Sequence, residues 1–386
     1  MLNWRSIPLG SLPGVKPVFI VGAGRSGTTP LQLALNMHPR LGVYGETQAF
    51  FVYRKFASGP ADARTRQVLN YWTPLIAGCS PYADLFDDEG MRARLASASN
   101  YAEIVNQIFG TLAAREGKSR WGEKSPAHIF RLQEIRSSFP GAQVIHIIRD
   151  PRAVVCSSIK AFDQGQLNDW NIYRVARYWL RCFKIHAQQQ SETARGGYML
   201  VRYEDFVLRP QETLQAIAAF LNIGFVTEML NAHRVASRYV QKESSGGMPA
   251  HHALTEKPLD ASRVQAWKAS LSREQTRLVE QVAGKQMQEI GYQPAEKEPY
   301  KPPSMRAVYF STRWIAAEGR RIADKQARTP YWALQRMMES RDQAQQTPPA
   351  RPANPVPSLD SSQGPKRNTV GVRPNEEPEQ IRRSGT

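Results

Sequence analysis

The segment Val18-Phe19-Ile20-Val21-Gly22-Ala23-Gly24-Arg25-Ser26-Gly27-Thr28-Thr29 constrains this chain more than any other. Four apolar residues read as a short buried strand, and the glycine-rich turn after them opens a helix over about Leu31–Met37. Such a turn sets unpaired backbone N–H groups and the positive end of a helix dipole at one point, where an anion binds. Its glycines permit close backbone approach and positive φ. Arg25, Ser26, Thr28 and Thr29 add a charge and three hydroxyls that a turn kept only for packing does not need. Three anion-binding designs stay open at this point. Gly22, Gly24 and Gly27 satisfy the dinucleotide pattern G-x-G-x-x-G, and Glu46 falls about where a ribose-binding acid would sit. Gly22 and Gly27 also have the interval of a kinase or ATPase phosphate loop, but Thr28 stands where its lysine belongs. In the third design Arg25 supplies the charge and the hydroxyls donate to a sulfate or phosphosulfate, with no metal.

The body of the chain, residues 15–295, alternates strands and helices. Strands are expected at Val18–Val21, Leu41–Tyr44, Gln143–Ile148 and Tyr198–Val201, and helices at Ala102–Ala114, Ile129–Phe139, Ala153–Ala161, Trp170–Thr193 and Pro210–Leu221. Alternation of this kind predicts an α/β fold with a parallel, P-loop-like sheet flanked by helices. A second anion site follows the strand ending at Ile148, in Arg149-Asp150-Pro151-Arg152-Ala153-Val154-Val155-Cys156-Ser157. Arg149 leaves the carboxyl end of a buried strand, where open α/β sheets bind ligands. Pro151 suits the first turn of a helix, and Ser157 lies about two turns further along it. A guanidinium and a hydroxyl so placed can hold one more phosphate; the plain alternative is a turn whose acid caps the helix.

VFIVGAGRSGTT at Val18–Thr29 followed by IIRDPRAVVCS at Ile147–Ser157 resembles the sulfotransferases that use 3′-phosphoadenylyl sulfate (PAPS). Three further segments are similar to that family: YMLVRYEDF at Tyr198–Phe206 followed by Pro210, Trp267-Lys268, and Ile290-Gly291-Tyr292. The resemblance covers most of residues 15–293, leaving Tyr53–Arg115 unmatched. It implies a sulfotransferase fold, PAPS as cosubstrate and no metal. It also implies that Arg25, Ser26, Gly27, Thr28 and Thr29 hold the 5′-phosphosulfate, that Arg149 and Ser157 hold the 3′-phosphate, and that Tyr203 lies by the adenine.

Sulfuryl transfer is an in-line displacement that needs positioning, cationic stabilisation of the leaving phosphate, and a base for the acceptor hydroxyl. Glu46, directly after the second strand and 21 residues beyond Arg25, is the candidate base. Tyrosylprotein sulfotransferases have a glutamate at a similar distance, and glycan sulfotransferases place one before paired aromatics, as Glu46 precedes Phe50-Phe51 here without their histidine. The plain alternative is a solvated Glu46 capping a helix over Thr47–Phe56. Lys124, in Trp121-Gly122-Glu123-Lys124-Ser125-Pro126, matches a family lysine at the bridging oxygen; otherwise it is a surface lysine before a Pro-started helix. Catalytic roles are therefore expected for Glu46, Lys124 and Arg25. His146 reads as a core residue, and His38 as a cation at a helix end. His251, His252, Ser244 and Ser245 share a loop near Gly246-Gly247 that aligns with nothing.

Charge and composition settle the ends. Fifty-one basic against 34 acidic residues give +17, which suits anionic partners. Three widely spaced cysteines, Cys79, Cys156 and Cys182, rule out a disulfide framework and a cysteine-rich zinc site. Residues 296–342 are expected to form a basic helical extension, since nine basic residues outnumber three acidic ones between Lys301 and Arg341, with aromatics interleaved. Such a helix either lies on an anionic membrane or packs on the domain. Eight prolines in residues 343–386 predict a disordered tail. With no apolar core in the first 16 residues and no spanning run, a cytoplasmic enzyme is expected, peripheral to a membrane if the extension binds one. The acceptor is expected to be a carbohydrate or lipid-linked glycan hydroxyl, or alternatively a peptide tyrosine. The rivals of another class are a nucleotide-dependent kinase and a nonenzymatic basic membrane- or nucleic-acid-binding protein.

Overall fold

The strand Val18–Gly22 (β1) is buried along its whole length, because it lies mid-sheet and is packed on both faces. Its alternate residues serve two cores. Phe19 and Val21 join one, while Val18 and Ile20 join the other. Full burial of each such side chain stabilises by about 1.5–3 kcal/mol before the entropy of ordering is counted. The computed structural model describes residues 10–51, 85, 88–162, 168–236, 256–295, 309–310 and 312. The chain divides into two units, Met1–Pro330 and Tyr331–Thr386, and every described residue belongs to the first.

After β1 come α1 (Thr28–Asn36), β2 (Leu41–Gly45), α2 (Glu89–Ser97), α3 (Tyr101–Arg115) and β3 (Arg120–Lys124). A 3-10 turn at Pro126–Arg131 leads into α4 (Leu132–Ser138), β4 (Gln143–Ile148), α5 (Pro151–Phe162), α6 (Asp169–Ala187), α7 (Gln190–Ala194) and β5 (Tyr198–Arg202). Then follow α8 (Tyr203–Leu208), α9 (Pro210–Leu221), three 3-10 segments among the described residues, and α10 (Arg273–Glu289). The strands form one sheet in the order β2-β3-β1-β4-β5, and every neighbouring pair is parallel. This is the expected α/β fold. Helices α3 and α6 pack on one face, while α1, α8 and α9 pack on the other.

Two local expectations are corrected. The sheet has a fifth strand, β3, which RWGEK does not announce because it carries charges at both ends and no apolar run. The expected helix Trp170–Thr193 is two helices. Gln188 and Gln189 donate back to the Ile185 and His186 carbonyls (3.1 and 2.8 Å), and the chain restarts in α7.

Register sets the site. Gly45 pairs with Lys124, Gly22 with Ile147, and Ile148 with Arg202. The loops after β1, β2, β3, β4 and β5 therefore emerge side by side at one carboxyl edge, the usual ligand edge of an open α/β sheet.

His146 is a core residue as expected. Its Nδ1 lies 2.7 Å from the Tyr198 hydroxyl, and burial lowers its pKa to about 3. His38 departs from the expected cation: it is buried, its Nδ1 accepts from the Arg40 N–H (3.1 Å), and desolvation lowers its pKa. Cys156 and Cys182 are free and buried, with thiols pushed up to about 11 and about 12. Phe310 packs against Trp170 and Tyr173 at centroid distances of 5.8 and 5.7 Å. Apart from residues 309, 310 and 312, the basic extension 296–342 lies outside the described residues, as do the tail 343–386 and Cys79, His251, His252, Ser244 and Ser245. No helix among the described residues is long and apolar enough to cross a membrane, which bears on spanning and not on compartment.

Candidate active site

The loop after β1 is shaped by two contacts that exclude a side chain. Gly27 has φ 94°, and a Cβ there would meet Tyr203 Cδ2 at 2.3 Å. Gly22 faces the Ile147 carbonyl oxygen, which a Cβ would approach to 2.4 Å. These approaches bring the first loop directly against the residues that follow β4 and β5. Helix α1 begins at Gly27 with no side-chain cap and no acid in its first turn, so its leading N–H groups stay available to an anion.

Arg25 and Ser157, expected at separate anion sites, are in contact: Arg25 Nε donates to Ser157 Oγ at 3.1 Å. Arg149 lies across the same place. Its Nη1 donates to the Arg25 carbonyl (3.2 Å), its Nη2 donates to the Arg263 carbonyl (2.9 Å), and its guanidinium sits 4.3 Å from the Tyr203 ring centroid. The first loop, the start of α5 and Tyr203 are thus one contiguous site. Asp150 does cap the helix, accepting from the Arg152 N–H (2.8 Å), so the plain reading of the turn holds alongside the placement of Arg149.

Several features of this site leave room for an anion. Ser26 is fully buried, yet its Oγ has no hydrogen-bond partner, and Arg149 Nε is also buried without one. An orphaned buried polar group costs about 1–3 kcal/mol, which a ligand oxygen would relieve. Arg25 has its pKa lowered to about 10, first by burial and then by the charge of Arg149; Glu46 opposes this. A phosphate or sulfate between the two guanidiniums would remove that repulsion. A Cβ at Gly24 would meet nothing within 4 Å, so the loop is open there. These residues fit the phosphosulfate that the family resemblance implies.

Lys124 and Glu46 meet beside the loop. Lys124 Nζ donates to Glu46 Oε1 at 2.7 Å and lies 3.4 Å from Thr29 Oγ1. The lysine side chain is 2% exposed and the glutamate 21%, so Lys124 is no surface lysine and Glu46 is the reachable member. Glu46 does not cap a helix over Thr47–Phe56, because helical structure begins only at Ala49. Its N–H continues the sheet ladder onto the Lys124 carbonyl (3.0 Å), and its φ is 21°. Arg25 (φ 67°) and Gln48 (φ 54°) are also left-handed. Three of the four non-glycine residues with positive φ among those described thus fall in the two loops of this site. Strained backbone concentrates at functional sites.

Sequence reasoning missed the groups that hold these loops. Glu123, Ser125, His128 and Thr47 form a buried cluster behind Lys124 and Glu46. Arg152, Glu204 and Tyr292 form another behind Arg149. Glu123 and Ser125 stand in the WGEKSP segment, but only the fold shows what they face. A cavity of about 610 Å³ lined by Arg152, Arg202, Glu204 and Trp267 borders the second cluster, and no residue of the first loop lines it. Among the described residues no three His, Cys, Asp or Glu side chains group to hold a metal ion.

Residues 17–228 match the model of the Sulfotransferase family. The chain is 26% identical over 224 residues to protein-tyrosine sulfotransferase 2 of Gallus gallus, covering 55% of this chain and 53% of the relative. It is 25% identical over 166 residues to carbohydrate sulfotransferase 3 of Mus musculus, covering 39% of this chain and 34% of the relative. It therefore spans about half or less of the length of these two curated relatives. The fold is similar to that of the sulfotransferase domain of the Synechococcus PCC 7002 olefin synthase, at TM-score 0.51 and 20% identity, covering 72% of this chain and 98% of that domain. The family match covers more than half of the chain and spans the Arg25, Lys124 and Arg149 segments, and the chain belongs to the sulfotransferase family.

Proposed function

We propose that residues 15–295 transfer the sulfuryl group of PAPS to an acceptor hydroxyl, with 296–342 a basic extension and 343–386 a disordered tail. The observation that carries the reading is the Arg25–Ser157 contact, which joins both anion-binding segments within reach of the Lys124–Glu46 pair. When bound, PAPS supplies the sulfuryl group and leaves as 3′-phosphoadenosine 5′-phosphate (PAP). Ser26, Gly27, Thr28, Thr29 and Arg25 hold its 5′ end through the loop N–H groups, hydroxyls and guanidinium. Arg149 and Ser157 hold the 3′-phosphate, and the Tyr203 ring, already under the Arg149 guanidinium, packs by the adenine. Lys124 stabilises negative charge on the leaving phosphate. Glu46 accepts the proton of the acceptor hydroxyl as that oxygen bonds to sulfur. No residue of this set calls for a metal.

Two acceptor classes have support. The tyrosine sulfotransferase match covers more of this chain than the carbohydrate one. A phenol, ionising near pH 10, also gives up its proton to a lysine-paired carboxylate more readily than a sugar alcohol does. A carbohydrate or lipid-linked glycan hydroxyl is supported by the carbohydrate sulfotransferase match and by the aromatic pair Phe50-Phe51 after Glu46. The test is calorimetric titration with PAP, 5′-AMP, NAD and Mg·ATP, followed by an acceptor screen with labelled PAPS. Micromolar binding that requires the 3′-phosphate is expected. Preference for NAD or Mg·ATP would replace this reading with a dinucleotide enzyme or a kinase. Label on an acidic tyrosine peptide, against label on a hexosamine oligosaccharide, separates the acceptors.

A further inference from the structure

We infer that Glu123 is a positioning residue for catalysis: its buried carboxylate holds the loop that aims Glu46. The inference rests on the reading of Glu46 as the base. Glu123 is the penultimate residue of β3, so it points to the face opposite Lys124 and away from the anion site. It is fully buried, like Lys124 beside it. Its carboxylate collects donors from the segment after β2. Oε1 accepts from the Thr47 N–H (3.3 Å), from Thr47 Oγ1 (3.3 Å) and from Ser125 Oγ. Oε2 lies 2.8 Å from His128 Nδ1. His128 Nε2 accepts from the Phe50 N–H at 3.2 Å, so the ring proton sits on Nδ1, the nitrogen beside the carboxylate, at an angle that falls short of a hydrogen bond. Ser125 Oγ in turn accepts from the Gln48 N–H at 3.1 Å.

The backbone N–H groups of residues 47, 48 and 50 are therefore each held by a side chain of the 123–128 segment. Glu123 takes the first directly, accepts from the Ser125 hydroxyl that takes the second, and stands 2.8 Å from the His128 ring that takes the third. The tethered segment is the one that carries left-handed φ at Glu46 and Gln48. A non-glycine residue keeps such a conformation only when its surroundings over-determine it. With the tethers loosened, Glu46 would move off the Lys124 ammonium and away from the acceptor hydroxyl, while the loop after β1 and Arg149, tied to other elements, would stay in place. Glu123 thus acts on the proton-accepting step and not on nucleotide binding.

The experiment is a double-mutant cycle on the full chain between Glu123→Gln and Glu46→Gln, reading PAP release from PAPS with water or the best acceptor of the screen, beside PAP affinity and thermal stability. Glu123→Gln keeps the size but sets an amide N–H₂ against one of the donors. It is expected to lower kcat about 10- to 100-fold, the loss that follows misplacement of a catalytic group by about 1 Å, with PAP affinity changed less than about twofold. In the Glu46→Gln background it should lower kcat no further, since residues acting as one unit are not additive. Thr47→Val should show a smaller loss of the same kind, and Thr47→Ser should restore kcat. If Glu123→Gln lowers kcat equally in both backgrounds, or weakens PAP binding as much as it slows turnover, Glu123 only supports the fold and the inference is overturned. If Glu46→Gln itself leaves turnover unchanged, the reading of the base fails and takes this inference with it.

Discussion

Behind Arg149 the carboxyl edge is held by matched charges, whereas the loops of Arg25 and Glu46 hold left-handed backbone and a buried hydroxyl, Ser26 Oγ, with no partner. On the first side, Arg152 is gripped by both oxygens of Asp150 (2.7–3.2 Å), by Glu280 Oε1 (2.7 Å) and by the Gln293 carbonyl (3.0 Å), and it lies 4.0 Å over the Trp267 ring. Glu204 accepts the Asp150 N–H (3.1 Å) and the Tyr292 hydroxyl (2.6 Å). On the second side, Ser26 Oγ has no partner, Arg25 is pressed towards a like charge, and three residues hold left-handed backbone. The acids and Arg152 of the first side are matched within the protein, although Arg149 Nε is buried without a partner. On the function proposed above, a ligand completes the second side.

Breaking each half should therefore give different symptoms. The largest effect is expected from Glu46→Gln: kcat lower by about 10²–10⁴-fold, the range for loss of a general base. Calorimetry should show PAP affinity nearly intact, and equal turnover would assign the base elsewhere. Next comes Arg152→Ala, which leaves Asp150 and Glu280 as buried or half-buried acids without their cation. Denaturant melts should show a loss of about 3–5 kcal/mol. Turnover per folded molecule should change little, and a large kcat loss at full stability would merge the two halves into one functional unit.

The smallest effect sharpens the comparison through pH. Burial raises the pKa of Glu204, with the Tyr292 and Asp150 hydrogen bonds pulling the other way. A carboxyl whose folded pKa lies above its unfolded value contributes stability below the unfolded pKa. That contribution is lost as pH rises through the folded pKa. Glu204→Gln should remove this slope, so the variant gains on the parent as pH rises from the ordinary carboxylate range. Melts at several pH values check it, and parallel profiles would show that Glu204 titrates normally.

Much of this was legible in the residues and some was not, for identifiable reasons. The run VFIVG and the glycine turn announce β1 and its loop because apolar clustering and positive φ leave local marks. The Arg149 segment announces itself by the apolar strand before it and the proline that opens its helix. The strand β3 does not: Glu123 and Lys124 are charged, and only partners brought from 46–47 and 125–128 make their burial tolerable. The family resemblance marks Lys124 and not Glu123 next to it, since nothing in WGEKSP says which face each side chain takes. The break after Ala187 was invisible because Gln188 and Gln189 are good helix formers.

The sequence by itself determined the α/β class and the two glycine- or proline-marked turns that carry Arg25 and Arg149, which follow from hydrophobic period and turn chemistry. Its resemblance to sulfotransferases marked the residues suited to sulfuryl transfer. The tertiary structure decided that both segments form one site, that Glu46 meets Lys124 at 2.7 Å, and that a buried carboxylate stands behind the pair. Those outcomes depend on parallel register, which sets Gly45 against Lys124 and Gly22 against Ile147 across long stretches of chain. No local pattern encodes that pairing, because it is fixed only when both faces of the sheet are packed at once.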